Sequence, residues 1–169
     1  MKWLTSDVLE PILSKYNRVL KALNKDAAVL LEWQDSVLFT DNVLLIEWPS
    51  NMVERDAIVT KLFRRGKTAD VSRFAILKGN EHWLEKITED AKIVPASEME
   101  PTDDSVGYMV FGHNGDRCYY DPDYVSVIES IFEGMPEYHL VYRDDERRIL
   151  LAKDNGTFRA ALANVIFEK

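Results

Sequence analysis

Apolar residues recur first at helical spacing and then at strand spacing, and the same order is written near both ends of this chain. Within residues 7–48, Val8, Ile12, Tyr16, Val19 and Leu23 put one apolar stripe along a long helix. Three runs rich in β-branched and aromatic residues follow, Val29–Trp33, Val37–Thr40 and Val43–Trp48, with Gln34-Asp35 and Asp41-Asn42 supplying the turns. Residues 122–167 repeat the order. Tyr124, Ile128, Ile131 and Phe132 make the helical stripe, and Tyr138–Tyr142, Ile149–Ala152 and Phe158–Phe167 read as strands divided at Asp144-Asp145 and Asn155-Gly156. The repeat is one of pattern and not of letters. It predicts an α+β fold in which two helix-plus-three-strand half-repeats form antiparallel sheet packed on helices.

The stretch between the copies is less regular. Asn51–Arg65 reads as a helix capped by Ser50 or Asn51, with Val53, Ala57, Ile58 and Leu62 inward and Gly66 at its end. Val71–Leu77 reads as a strand, and Asn80–Asp90 as a short helix that turns Trp83, Leu84 and Ile87 inward. Pro95–Ser105, with two prolines and four acids, is expected to be an exposed loop and the boundary between the halves. Val106–Phe111 and Arg117–Tyr120 then form a hairpin about His113-Asn114-Gly115, because Asn-Gly suits a turn that needs positive φ. Asp121-Pro122-Asp123 caps the second long helix, where proline loses no intrahelical hydrogen bond.

A length of 169 residues, 46% apolar and 30% charged, suits one folded domain with a sizeable core. No apolar run approaches the roughly 20 residues of a membrane span, and the N-terminus lacks a secretory pattern, so a soluble cytoplasmic protein with no membrane partner is expected. The single Cys118 can make neither an internal disulfide nor a zinc site alone. Net charge is −8, yet residues 1–92 balance 14 Lys/Arg against 14 Asp/Glu while residues 93–169 hold 7 against 15. Bulk charge therefore argues against non-specific nucleic-acid binding, although a locally basic face can still meet phosphate. Lys15, Arg18, Lys21 and Lys25 form such a face, within about 120° of one another and away from the apolar stripe of the first helix. Lys61, Arg64, Arg65 and Lys67 are the densest positive cluster. The charge of any amphipathic helix's outer side, or cations complementing its C-terminus, explains the first set without DNA, and a dipole-complementing helix end explains the second.

Catalytic chemistry is not expected. His82, His113 and His139 have no companion at metal-ligand spacing and no neighbouring nucleophile. Asp121 and Asp123 begin like a calcium loop, but Tyr124, Val125 and Val127 stand where oxygen ligands and glycine belong. The carboxylate pairs Asp103/Asp104 and Asp144/Asp145 fall in exposed turns, where nothing raises a pKa for acid catalysis. No P-loop or dinucleotide fingerprint occurs, and no cofactor is implied.

Cys118–Phe132 (CYYDPDYVSVIESIF), followed by a strand and then Arg148–Ile166 (RILLAKDNGTFRAALANVI), resembles the last half-domain of bacterial and phage sliding clamps, the β subunit of the replicative polymerase. Val29–Trp48 (VLLEWQDSVLFTDNVLLIEW) is similar to the first half-domain of that family. The two tracts cover roughly half the chain, and the family's domain is itself a tandem of strand-helix-three-strand units. The resemblance implies a single clamp-like domain: a first half-repeat at 1–50, an insertion and linker at 51–105, and a second half-repeat at 106–169. It implies a processivity factor in DNA replication, without catalysis, that touches only the backbone of duplex DNA and holds a DNA polymerase or other replication protein. Lys15, Arg18, Lys21 and Lys25 are then the DNA contacts by position, with Lys61, Arg64, Arg65 and Lys67 added on charge alone. A ring of six such domains implies a homo-oligomer.

The chain departs from the family in places. Its second long helix carries Asp123, Glu129 and Glu133 and no Lys or Arg, and its last residues are Ala161–Lys169 where the family often has Met-Pro and small apolar residues. These departures suit an alternative, a small acidic interaction module, phage-encoded or an immunity or inhibitor factor, that binds a protein and not DNA. Met135, Tyr138 and Tyr142, or Trp33 and Trp48, are its candidate anchors, and each is also an ordinary core residue type.

Overall fold

A computed structural model of the chain describes residues 29–33, 36–40, 43–49, 64–65, 68–69, 74–75, 83–132, 134–144 and 146–167. Its main element is an eight-stranded sheet. The first meander is β1 (Val29–Trp33), β2 (Ser36–Thr40) and β3 (Leu44–Pro49), and the last is β11 (Glu137–Tyr142), β12 (Arg148–Asp154) and β13 (Thr157–Ala163). Both are antiparallel, and they meet through their closing strands, with Ala160 opposite Ile46 and Leu162 opposite Leu44. β6 (Phe74–Ala75) joins β1 in parallel, and β7 (Lys92–Pro95) joins β11 antiparallel, which gives the order β6-β1-β2-β3-β13-β12-β11-β7.

At β3, β11, β12 and β13 this sheet is covered on both faces. Adjacent apolar residues such as Leu44-Leu45-Ile46, Leu140-Val141, Leu150-Leu151 and Ala160-Ala161-Leu162 are all buried, and a strand packed on two sides needs an unbroken apolar run instead of alternation. Leu44, Ile46, Leu140, Leu150, Ala160 and Leu162 face one core together with helix α2 (Pro122–Ile131). Leu38, Leu45, Val141, Leu151 and Ala161 face the other, with Leu84 of the short helix α1 (Trp83–Thr88). Helices thus approach β13 from opposite sides, at the small residues Ala160 and Ala161.

α2 forms where its stripe predicts. Asp121 accepts a hydrogen bond from the Asp123 amide and Pro122 occupies the first turn. Tyr124, Val125, Val127, Ile128 and Ile131 are buried on one side. At about 1.5–3 kcal/mol for each large side chain, that stripe supplies on the order of 10 kcal/mol of gross burial energy.

A second sheet of three strands shares the α2 core. It contains β8 (Ser97–Met99), β9 (Met109–His113) and β10 (Asp116–Tyr120), in the order β10-β9-β8. The β9-β10 turn has Asn114 and Gly115 at φ of 49° and 85°, and Asn155-Gly156 repeats those values within a few degrees between β12 and β13.

Three expectations are corrected. Pro95–Ser105 is not simply a loop, because it supplies β8 and ends in a 3-10 turn at Asp103–Ser105. There the buried Ser105 hydroxyl accepts from the Thr102 amide at 2.6 Å. The predicted helix 51–65 does not extend through Arg64–Arg65, which form β4 paired with β5 (Thr68–Ala69); the rest of that helix lies outside the described residues. Pairing of Arg64 and Arg65 with β5 overrides the helical spacing there, as partners across the chain commonly do for short segments. The final strand was expected to reach Phe167 but ends at Ala163. The Asn164 side chain then takes over the hydrogen bonding, accepting from Arg148 N at 3.0 Å and donating to Glu146 O at 3.1 Å.

Candidate functional site

The cations expected to hold DNA are only partly placed. Lys15, Arg18, Lys21, Lys25, Lys61 and Lys67 lie outside the described residues, and Arg64 and Arg65 are strand residues of β4. The second helix is better defined. With its apolar arc buried, α2 leaves Asp123 exposed and Ser126, Glu129 and Ser130 half-exposed, so its outer side carries negative charge and no cation. Phosphate is repelled there.

Polar side chains converge where β10, β11 and β12 come together. Asp116 Oδ2 accepts from the Tyr142 hydroxyl at 2.9 Å and lies 3.4 Å from Arg148 Nε. The Arg148 guanidinium sits 4.3 Å from the Tyr142 ring centroid, and Lys92 Nζ sits 5.2 Å from the same centroid. Arg148 Nη1 donates to the carbonyls of Asp144 and Arg147, and the Tyr120 hydroxyl donates to the Arg148 carbonyl at 2.9 Å. The Tyr120 and Tyr142 hydroxyls and Arg148 Nε and Nη1 all find acceptors within the fold. The arrangement ties the small sheet to the large one.

Titratable groups near the knot are tuned toward inertness. Burial pushes the Cys118 thiol up to about 11, with the Asp116 charge adding to the effect, so it is no nucleophile at neutral pH. Burial also raises the Tyr120 phenol, and it raises Tyr142, which in addition donates to Asp116. At the β11-β12 turn, the amides of Arg147 and Glu146 hold the exposed Asp144 carboxyl below its usual value. His139 lies on the other face of β11, beside the edge of Phe158. Its Nδ1 is buried with no hydrogen-bond partner among the described residues, and burial lowers its pKa even though Glu137 stands 3.4 Å from Nε2. Among the described residues no three His, Cys, Asp or Glu side chains gather as a metal site.

An aromatic cluster lies on the outer side of the small sheet. Cys118 and Tyr120 point into the core, so alternation turns Arg117 and Tyr119 outward. After β13 the chain crosses to β10, where Val165 N donates to Tyr119 O at 2.8 Å. Phe167 then meets Tyr108 and Tyr119 edge-on, at centroid distances of 5.4 and 5.3 Å. Val106, Ile166 and Phe167 remain 75%, 51% and 46% exposed.

Of the anchors read from the sequence, Met135 is exposed, Tyr142 is engaged in the polar knot and Tyr138 is a core residue whose ring is tilted against Phe111 at a centroid distance of 4.6 Å. Trp33 and Trp48 are strand residues of β1 and β3. Sequence reasoning missed Tyr108, Tyr119 and Phe167. Tyrosine at an outward position of β10 was the local signal for Tyr119, while the place of Phe167 depends on a tail crossing between sheets. An apolar cleft of about 240 Å³ opens at the β3-β13 seam, against Ile87, Leu45 and Ile149. No helix among the described residues is long and apolar enough to cross a membrane. Comparison with protein-family models, with curated proteins and with solved structures finds no match to this chain.

Proposed function

We propose that the chain is a sliding-clamp-like replication accessory, a non-catalytic scaffold that retains duplex DNA by its backbone and holds a DNA polymerase or another replication protein. The observation that carries this reading is topological. β10-α2-β11-β12-β13 is a strand-helix-three-strand run, and a second three-strand meander, β1-β2-β3, meets it antiparallel through β3 and β13. The resemblance implies a tandem of strand-helix-three-strand units, and the two meanders support that reading. Lys15, Arg18, Lys21 and Lys25 supply the DNA contact in this proposal, and Lys61, Arg64, Arg65 and Lys67 a subsidiary one. Such contacts make binding independent of sequence and steeply weakened by salt. Size-exclusion chromatography with light scattering, run with and without duplex DNA at low salt, tests it. A defined homo-oligomer that co-elutes with DNA is expected, and a monomer indifferent to DNA overturns it.

The acidic outer side of α2 favours a second reading, an interaction module that binds only protein. In the same experiment that reading predicts a monomer or dimer that never co-elutes with DNA.

A further inference from the structure

We infer that the tail residues Asn164–Phe167 guard the outer edge of β10, and that without them this edge pairs with the same edge of a second copy of the chain. Register shows which backbone groups lie there. The two-residue turn at Asn114-Gly115 makes Asp116 and His113 a hydrogen-bonded pair, so alternation places Cys118 with Phe111 and Tyr120 with Met109 on the ladder to β9. The N–H and C=O groups of Arg117 and Tyr119 therefore point away from β9, toward the side of β10 that no strand occupies. Val165 N donates to Tyr119 O at 2.8 Å, which agrees with that direction. Among the described residues, the Tyr119 N–H and both backbone groups of Arg117 take no backbone partner.

Open backbone groups on a strand are a template for another strand, and folds blunt such edges. The other edges carry their own devices. β4, β5 and β6 are two residues long and β8 is three, while β7 has Lys92 at one end and Pro95 at the other. β10 has five residues, no proline and the β-favouring run Cys118-Tyr119-Tyr120. Its cover is the tail, latched where Phe167 meets Tyr108 and Tyr119 edge-on. The cover is thin, because one backbone bond holds it and Ile166 and Phe167 stay about half exposed.

The sequence of β10 suits itself as a partner. About a two-fold axis at Cys118, an antiparallel approach sets Arg117 opposite Tyr119 and Asp116 opposite Tyr120, so no like charges face each other. The open groups of Arg117 and Tyr119 are then paired on both copies, and each guanidinium stands beside a tyrosine ring. Such a contact closes on itself, so its product is a pair and not a fibre.

Size-exclusion chromatography with light scattering, over a concentration series, compares the intact chain with a chain ending at Asn164, which keeps the Asn164 bonds to Arg148 and Glu146. The shortened chain is expected to double its mass relative to the intact chain as concentration rises. Its Arg117 and Tyr119 amides should then slow in hydrogen exchange by about tenfold or more. Tyr119→Pro in the shortened chain removes an edge N–H and no bond to β9, so it should restore the mass of the intact chain. The reference is the intact chain's own mass, so the outcome is independent of the replication reading. Should the shortened chain not fold, Val165→Pro at full length decides, because it removes the N–H given to Tyr119 and should also raise the mass. An unchanged mass in the folded variant, growth that Tyr119→Pro leaves untouched, or growth without slower exchange at Arg117 and Tyr119 overturns the inference.

Discussion

The middle of the large sheet is buried on two faces, while the small sheet packs one face on the α2 core and carries the tail of the chain on the other, and this contrast separates the interior of the fold from its margin. In the large sheet, neighbouring residues such as Leu150 and Leu151 are both fully buried, so the middle of β12 serves packing on both faces. In the small sheet, Cys118 and Tyr120 serve packing while Arg117 and Tyr119 between them face outward. A sheet covered on two sides has little surface left to display, and a sheet covered mainly on one displays more. Stability should therefore respond most to substitutions in the large sheet.

The largest expected effect is there. Leu150→Ala, at the centre of the two-faced sheet, should cost about 3–4 kcal/mol in a denaturant titration. Gly112→Ala attacks the small sheet from within. A Cβ there would collide with the Asp116 carbonyl and the Met99 sulfur, and because the carbonyl is backbone held by the β9-β10 pairing, a loss of about 2–3 kcal/mol is expected. A neutral outcome would mean that the two strands are not so closely apposed. Arg148→Met should cost about 1–2 kcal/mol, since it leaves Asp116 with one partner fewer and loosens the join between the sheets. Tyr142→Phe, which removes one hydrogen bond, should cost about 1 kcal/mol, and the double variant should cost less than the sum if the knot acts as a unit.

The smallest effect depends on pH and isolates the face of the large sheet opposite α2. His139 has a depressed folded pKa, so the unfolded chain takes up the proton first as pH falls. Stability should be constant above about 6.5 and should decline as pH drops from there toward the folded value. His139→Leu should remove that decline, to be read from melting temperature against pH. A variant that keeps the full slope would place its origin in another group.

Much of the architecture was legible from local pattern. Five of the six meander strands were placed within about two residues of where they lie, because each combines β-branched or aromatic residues with a turn signal on either side. The cap of α2 and the Asn-Gly turns were readable for the same local reasons. What local pattern does not encode is pairing across the chain. β7 and β8 are four and three residues long, separated by Ala96 alone and marked by Pro95, a residue that only an edge strand accommodates. Their partners, β11 and β9, make them strands. The outer cluster is hidden in the same way, because Tyr108, Tyr119 and Phe167 become neighbours only after Asn164 ends β13 and the tail reaches β10. The first-helix cations Lys15, Arg18, Lys21 and Lys25 had a readable spacing and lie outside the described residues.

The most direct test of the central claim is the salt dependence of duplex DNA binding, measured by fluorescence anisotropy for the natural chain and for Lys15→Glu, Arg18→Glu and Lys21→Glu combined. The account predicts log affinity that falls linearly with log salt in the natural chain, and retention abolished in the variant with an unchanged melting temperature. Binding that ignores both salt and charge reversal, or no binding by the natural chain at low salt, would contradict it.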